Sequence, residues 1–364
     1  MEDQIKQKKI NKTVTNVIYI FLSIAVVASL TVVFMRYFSS DENVYNPATG
    51  KYEQKKKEVK KAICPLDGTE VAETIAFRRP LAIMVENHPD ARPQSGLDKA
   101  SIVYEAITEG GITRFMAIFG PNDSQKVGPV RSARTYYIDW LSEFNAFFAH
   151  VGGNLDALDK IKTDRVLDLD EFGVGKNAYW REEGLAKAIE HTMYTSTEKL
   201  YNYARQKGWS ETDKSYQTFK FDNKLKQNGL PNKSVTIDFS TASYKVDWQY
   251  DASRKVYLRE MAGSAHFDNE TGDQLSGDNI IIQSVDRWDT TTTSGEQGFT
   301  MLTIGSGKAK VFIDGQAIDG TWKKNSRTSR TLFYNQLEEE ITFKPGKTWV
   351  EIVPPEVFNT LKVQ

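Results

Sequence analysis

Hydrophobic and polar positions along the chain change rhythm twice. Leu81–Val85 is a continuous apolar run, fit for a buried strand, and it ends in Glu86, Asn87, His88 and Pro89. Ser101–Thr108 and Thr113–Gly120 are two more strand-like runs, with Glu109-Gly110-Gly111 between them as a short hairpin turn. Gly128-Pro129 breaks the chain. Arg131–Phe144 then carries Tyr137, Ile138, Leu141 and Phe144 at helical spacing. Phe147–Val151 is strand-like, with His150 at its carboxyl end and Gly152-Gly153 beyond it, and a further helix is expected near Asn154.

The middle of the chain is mixed. Leu155–Ile161 and Gly184–His191 are expected to be helical. Thr195 and Glu198 form a capping-box pattern, opening a helix to about Lys207 that stops at Gly208. From Val235 onward the period is two. Tyr244–Tyr250, Lys255–Met261, Asn279–Val285, Phe299–Ile304, Lys310–Asp314 and Trp349–Val353 are expected strands. Turns are expected at Asp268–Gly272, Gly305–Gly307, Asp314-Gly315, Asp319-Gly320 and Pro345-Gly346, and a mobile loop over Asp289–Gly298. The expected fold is α+β. A mixed α/β first domain over residues 63–230 precedes a mostly antiparallel β domain over residues 231–364.

Ahead of both lies a different kind of segment. Val14–Met35 is apolar and uncharged, long enough to span a bilayer, and follows Lys6, Lys8, Lys9 and Lys12. These features predict a cytoplasmic tail (1–13), a single-pass anchor (14–35) and the rest of the chain outside. No A-x-A cleavage pattern follows the span. Phe38–Ala62 is polar and rich in lysine, as a solvated spacer would be.

The chain has 364 residues and a net charge of −1, so no global field favours nucleic acid. One cysteine, Cys64, excludes an internal disulfide and a cysteine-rich metal site. It has no flanking histidine or arginine, which marks an inert, half-buried thiol. There are four histidines, and His88, His150 and His191 fall in the first domain at turns or strand ends. With Asp168, Asp170 or Glu86 they could hold a metal, but no local metal motif exists and no metal site is expected. The sequence names no cofactor.

The sharpest chemical clue is Arg131 and Arg134, in or just before the first turn of the expected helix. That end carries partial positive charge, so cations there are disfavoured until an anion joins them. The anion is either a ligand phosphate or carboxylate, or the protein's own Glu86, Glu105 or Glu109. Ser132, Asn87 and Asn154 complete the expected ligand-facing set. If the site is catalytic, His150 is the expected base and Glu86 the acid or second base. No nucleophile elbow is present, and the default role of Ser132 is a turn or cap. Gly305-Ser306-Gly307-Lys308 lacks the first glycine and the final Ser/Thr of a nucleotide loop. Asp268–Asp273 lacks the frame of a calcium loop.

RPLAIMVENHPDARPQSGLDKASIVYEAITEGGITRFMAIF, GPVRSAR, HVGGN, YTS at Tyr194–Ser196, GSGKAKVFIDG and GTWKK resemble the motifs of the YerB-like family. That family comprises bacterial envelope proteins described as lipoproteins, with a two-part domain of unknown function. The resemblance covers most of the chain after about Ile63 and implies an envelope location in a Gram-positive bacterium. It supplies no activity or catalytic residues. A lipoprotein needs a cysteine just after its apolar segment, and Cys64 lies far beyond Met35. Anchoring is therefore expected through the helix itself. The resulting expectation is an envelope protein that binds an anionic wall polymer or a partner protein. A hydrolase or transferase acting on such a ligand and a structural scaffold are the alternatives.

Overall fold

The computed structural model describes residues 43–46, 51–54, 59–224, 234–293, 295 and 297–364. Two compact units divide the chain, Met1–Val59 and Lys60–Gln364. In the first, the described strands Asn43–Asn46 and Lys51–Gln54 pair antiparallel, so part of the expected spacer carries β structure. The expected span Val14–Met35 lies outside the described residues. Among those residues no helix is long and apolar enough to cross a membrane.

In the second unit ten strands make one sheet. In chain order they are β1 Leu81–Glu86, β2 Ile102–Ile107, β3 Thr113–Phe119, β4 Phe147–His150 and β5 Leu167–Asp170. β6 Asn279–Ser284, β7 Gly305–Ile313, β8 Gln316–Lys324, β9 Leu332–Asn335 and β10 Thr348–Val353 follow. Their spatial order is β9-β8-β7-β6-β10-β2-β3-β1-β4-β5. The central strands β1, β2, β3, β6 and β10 are buried along their whole length, which is why their sequences are nearly continuous apolar runs.

Both faces of the sheet are covered. On one, Ile83, Val103, Phe115, Ile280 and Trp349 pack against a second sheet and a helix. The second sheet is built on Val235–Asp238, Lys245–Asp251 and Val256–Met261, and the helix is Thr197–Gln206. On the other face, Met84, Tyr104, Met116, Ile281 and Val350 pack against helices α1, Thr135–Leu141, and α2, Leu155–Thr163.

Several expectations are corrected by this arrangement. The second half is mostly antiparallel, as expected, but β10 departs from that pattern and pairs parallel with both β6 and β2. The large sheet takes strands from both sides of the boundary expected near residue 230. Gly305–Gly307 and Asp319-Gly320 lie inside β7 and β8 instead of turns. Gly320 is there for close approach: an added Cβ would stand 1.9 Å from the Tyr334 carbonyl oxygen on β9. The tract Asp289–Gly298 belongs largely to a hairpin, Arg287–Thr291 with Gln297–Met301. Gly184–His191 is not a helix; Gly184 has a left-handed φ of 79°, and a single 3-10 turn forms at Ile189–His191. The helix at Thr197 is capped by Ser196, which accepts from Lys199 N at 3.3 Å, one residue later than the Thr195 expected.

Two buried charge clusters join the halves. In register, Glu351 of β10 lies beside Glu105 of β2. Arg259, from the second sheet, donates Nη1 to Glu351 Oε1 at 2.7 Å and Nη2 to Glu105 Oε2. All three side chains are fully buried. The guanidinium carbon lies 4.6 Å and 5.1 Å from the centres of the Trp349 and Trp248 rings. On the opposite face Glu143 accepts from Lys324 Nζ at 2.9 Å, Arg330 Nη1 at 2.6 Å and Thr331 Oγ1 at 2.6 Å.

One guanidinium cannot neutralise two carboxylates. Burial pushes Glu351 up from its ordinary 4.5 to about 8; Arg259 pulls against this and Glu105 adds to it. A carboxyl raised in the folded state contributes stability that is complete below its unfolded pKa and is lost as pH rises through the folded one. The Glu351 contribution should thus disappear between about pH 4.5 and about pH 8, at no more than about 1.4 kcal/mol per pH unit. Glu351→Gln, which mimics the protonated form, should match the parent at pH 5 and gain on it steadily to pH 8 in thermal unfolding. A difference that does not change with pH would contradict the shift.

Candidate functional site

The candidate site forms where the sheet opens at the carboxyl end of β1. Val130 bridges to Val85, Arg131 N donates to Met84 O at 3.0 Å, and Val151 N donates to Arg131 O at 3.1 Å. Ala133 N then reaches Gly152 O at 2.9 Å. The segment 130–133 therefore laces the end of β1 to the end of β4. That lacing brings the Arg131 side chain to Glu86, with Nε 3.1 Å from Oε1. The other oxygen of Glu86, Oε2, accepts from His191 Nδ1 at 2.8 Å.

His191 ends its 3-10 turn and stacks on His88, with ring centres 5.1 Å apart and planes 9° from parallel. His88 caps the turn Pro89–Ala91 by accepting from Asp90 N at 3.2 Å. Lys187 Nζ donates to Ala91 O and Arg92 O, both at 3.1 Å, and so holds the His191 loop against the His88 turn. Glu86, His88, Asp90, Arg131 and His191 are thereby gathered into one partly open cluster.

The two arginines do not converge. The helix expected from Arg131 begins at Thr135, leaving Arg134 as its cap residue with extended backbone. Arg134 makes a forked pair with Glu109, Nε to Oε1 at 2.6 Å and Nη2 to Oε2 at 2.9 Å. Burial works to raise the Glu109 pKa, but the hydrogen bonds and charge of Arg134 outweigh it and hold the carboxyl below its ordinary range. Of the two readings open in the sequence, internal pairing accounts for Arg134 completely. It accounts for Arg131 only in part: its Nη nitrogens meet no acceptor among the described residues, and its side chain is 31% exposed.

The remaining expected site residues are largely absorbed by the fold. His150 is fully buried; Nδ1 donates to Gly152 O at 2.8 Å and Nε2 faces Asp168 Oδ1 at 3.0 Å. Both ring nitrogens are committed to fixing the loop after β4, and its partners differ from those of Glu86, so the expected base and acid are not brought together as a pair. Asn87 is buried, donating to Thr113 Oγ1 at 2.7 Å and accepting from Gln94 Nε2 at 2.9 Å. Asn154 caps α2 by accepting from Ala157 N at 3.0 Å. The carbonyl of Ser132 accepts from Arg114 Nη1 at 2.8 Å. Cys64 is buried, and burial, then the nearby Asp67 charge, pushes its thiol up to about 12, as an inert thiol requires. The sequence offered His88 and His191 together with His150 and Glu86, but did not show the stacking of the two rings or the part played by Asp90. No spacing rule joins residues so far apart in the chain.

Comparison with known proteins bears on the whole second unit. The family described as "Protein of unknown function (DUF3048)" matches in both its parts, the N-terminal domain over residues 66–210 and the C-terminal domain over residues 235–350. The chain is 32% identical over 298 residues to a Bacillus subtilis (strain 168) protein named "Putative lipoprotein YerB", covering 81% of this chain and 87% of that protein. The crystal structure of YerB protein from Bacillus subtilis superposes with a TM-score of 0.74 at 30% identity, covering 83% of this chain and 99% of the other.

If Arg134 and Asn154 are structural, their loss should appear in stability alone. Asn154→Ala should cost about 1 kcal/mol, the usual loss for a side-chain cap. Arg134→Ala should also destabilise, by leaving the Glu109 carboxylate partly buried without its fork. Urea unfolding measures both, and neither variant should alter the binding of an anion. Stability unchanged in both variants would return these residues to the ligand-facing set.

Proposed function

The chain belongs to the two-part family described as a protein of unknown function (DUF3048), and on that footing we propose that it is a membrane-attached, extracytoplasmic protein of the cell envelope that binds an anionic ligand at the end of β1. The envelope location is supported by the relative named as a lipoprotein and by the uncharged stretch Val14–Met35 behind its lysines. No cysteine follows that stretch closely, so the proposed anchor is the stretch itself and not an attached lipid.

The observation that carries the binding site is the half-used guanidinium of Arg131. Glu86 lies 3.1 Å from its Nε, and the two Nη nitrogens, which make no hydrogen bond among the described residues, are the geometry that takes a phosphate or carboxylate through parallel hydrogen bonds. Ligand class follows from this fork: a phosphate or carboxylate carried by a cell-wall-related molecule. The buried, fully bonded His150 leaves the site better suited to holding a ligand than to moving its protons.

The full chain in detergent should bind inorganic phosphate and phosphate-bearing wall fragments in calorimetry. A charge-assisted hydrogen bond contributes about 1.5–3 kcal/mol, so Arg131→Ala should weaken binding by at least about tenfold. Arg134→Ala should bind as the parent does. A parent that binds no anion, or an Arg131→Ala variant that binds equally well, refutes the site. The location is tested separately: protease added to intact protoplasts should remove residues 60–364, and their protection would place them inside the cell.

A further inference from the structure

Beyond the anion site, the geometry points to a transition-metal site of the zinc type formed by His88, Asp90 and His191, with Glu86 as the outer partner that orients His191. One ligand atom from each of the three residues lies within 4.8 Å of the others. His88 Nδ1 and Asp90 Oδ2 are 3.6 Å apart. Two ligands at about 2.1 Å from a tetrahedral ion are separated by about 3.4 Å. The pair is therefore close to ligating distance, and only the 3.2 Å hydrogen bond from Asp90 N competes for that lone pair.

His191 carries the stronger argument. Its Nδ1 donates to a buried carboxylate at 2.8 Å, which leaves Nε2 as the nitrogen with a free lone pair. Nε2 meets no hydrogen-bond partner among the described residues. A histidine backed by a carboxylate on one nitrogen and open on the other is how metal-ligating imidazoles are usually held. Glu86 is in turn held by Arg131, so its charge is balanced before a cation arrives. The lysine clamp between the two loops limits how far the ligands can drift, and the two rings, now stacked, need only a side-chain rotation of the part-exposed His88 to turn both lone pairs on one ion.

Two imidazoles and one carboxylate suit zinc and its neighbours, not magnesium or calcium, which take oxygen ligands. Three protein ligands leave a fourth position open. The other two histidines are buried and bonded through both ring nitrogens, His150 to Gly152 and Asp168, and His266 to Arg259 and Gln94. Zinc bound through histidine therefore has one place to go among the described residues.

The test is calorimetric titration of the untagged full chain, stripped of metal and kept in phosphate-free buffer, with zinc chloride and then magnesium chloride. Zinc should bind one to one and magnesium should not bind. Asp90→Asn and His191→Ala should each weaken zinc by about 100-fold or more, and Glu86→Gln, which acts through His191, by about 10–100-fold. His191 is buried and its replacement risks the fold. Asp90, 73% exposed, and His88, 34% exposed, supply variants (Asp90→Asn, His88→Gln) whose folding circular dichroism can confirm. A parent without zinc affinity overturns the site, as does equal zinc binding by folded His88→Gln and Asp90→Asn. Because no phosphate or wall fragment is present, either outcome leaves the Arg131 reading to its own experiment.

Discussion

Two carboxylates share one guanidinium at the centre of this molecule, and the arrangement of everything else follows from the need to keep them paired. Glu105 and Glu351 are neighbours on parallel strands that come from opposite halves of the chain. Neither is reached by water, so each depends on Arg259, which arrives from the second sheet. Removing one member of a buried ion group costs about 3–5 kcal/mol, because the charge left behind has no solvent to turn to. The large sheet and the small sheet are thus tied together by this cluster, while the Glu143 cluster ties the halves on the other face.

The same cluster reaches the candidate site through neutral groups. Arg259 Nε donates to His266 Nδ1 at 3.1 Å, and His266 Nε2 donates to Gln94 Oε1 at 2.8 Å. Burial, then the Arg259 and Arg92 charges, hold the His266 pKa well below its ordinary value, so the ring is a neutral relay of hydrogen bonds. Gln94 Nε2 then donates to the Glu86 carbonyl at 2.9 Å. The backbone of Glu86 is therefore held from the core side, while its carboxylate meets Arg131 and His191 on the open side. Such a chain of satisfied bonds limits the freedom of the carboxylate on which both proposed ligand contacts depend.

Much of the first half was legible in the sequence for simple reasons. The continuous apolar run Leu81–Val85 and the strand-like runs Ser101–Thr108 and Thr113–Gly120 became buried strands, and Glu109–Gly111 became the 3-10 turn between two of them. The helix near Asn154 was legible because asparagine is a strong cap. Pairing between distant strands was not legible. Periodicity tells which face a residue occupies but not which strand lies beside it. The Arg131 and Arg134 conflict was visible as unbalanced charge, yet sequence could not say which glutamate answers which arginine. His191 and Glu86 meet across 105 positions of chain, and nothing local marks either one for the other. A further signal lies in the strands themselves: Glu105 and Glu351 each interrupt an apolar run, and a polar group there must have a buried partner.

That interruption also explains why the halves meet in only one register. Along a strand successive side chains alternate between faces, so a slip of one residue between β10 and β2 would turn Glu351 away from Arg259 and toward the face covered by α1 and α2. The cations on that face, Lys324 and Arg330, are already committed to Glu143. A slipped Glu351 would therefore be a buried polar carboxyl without a partner, while an apolar residue in its place would tolerate the slip at far lower cost. Apolar packing supplies the attraction between the halves, and the paired charges reject the alignments that packing alone would allow. The opening at the end of β1 inherits that register, since Gln94 and Asn87 bond to Glu86 and Glu105 only when Arg259 and His266 stand where the aligned strands put them.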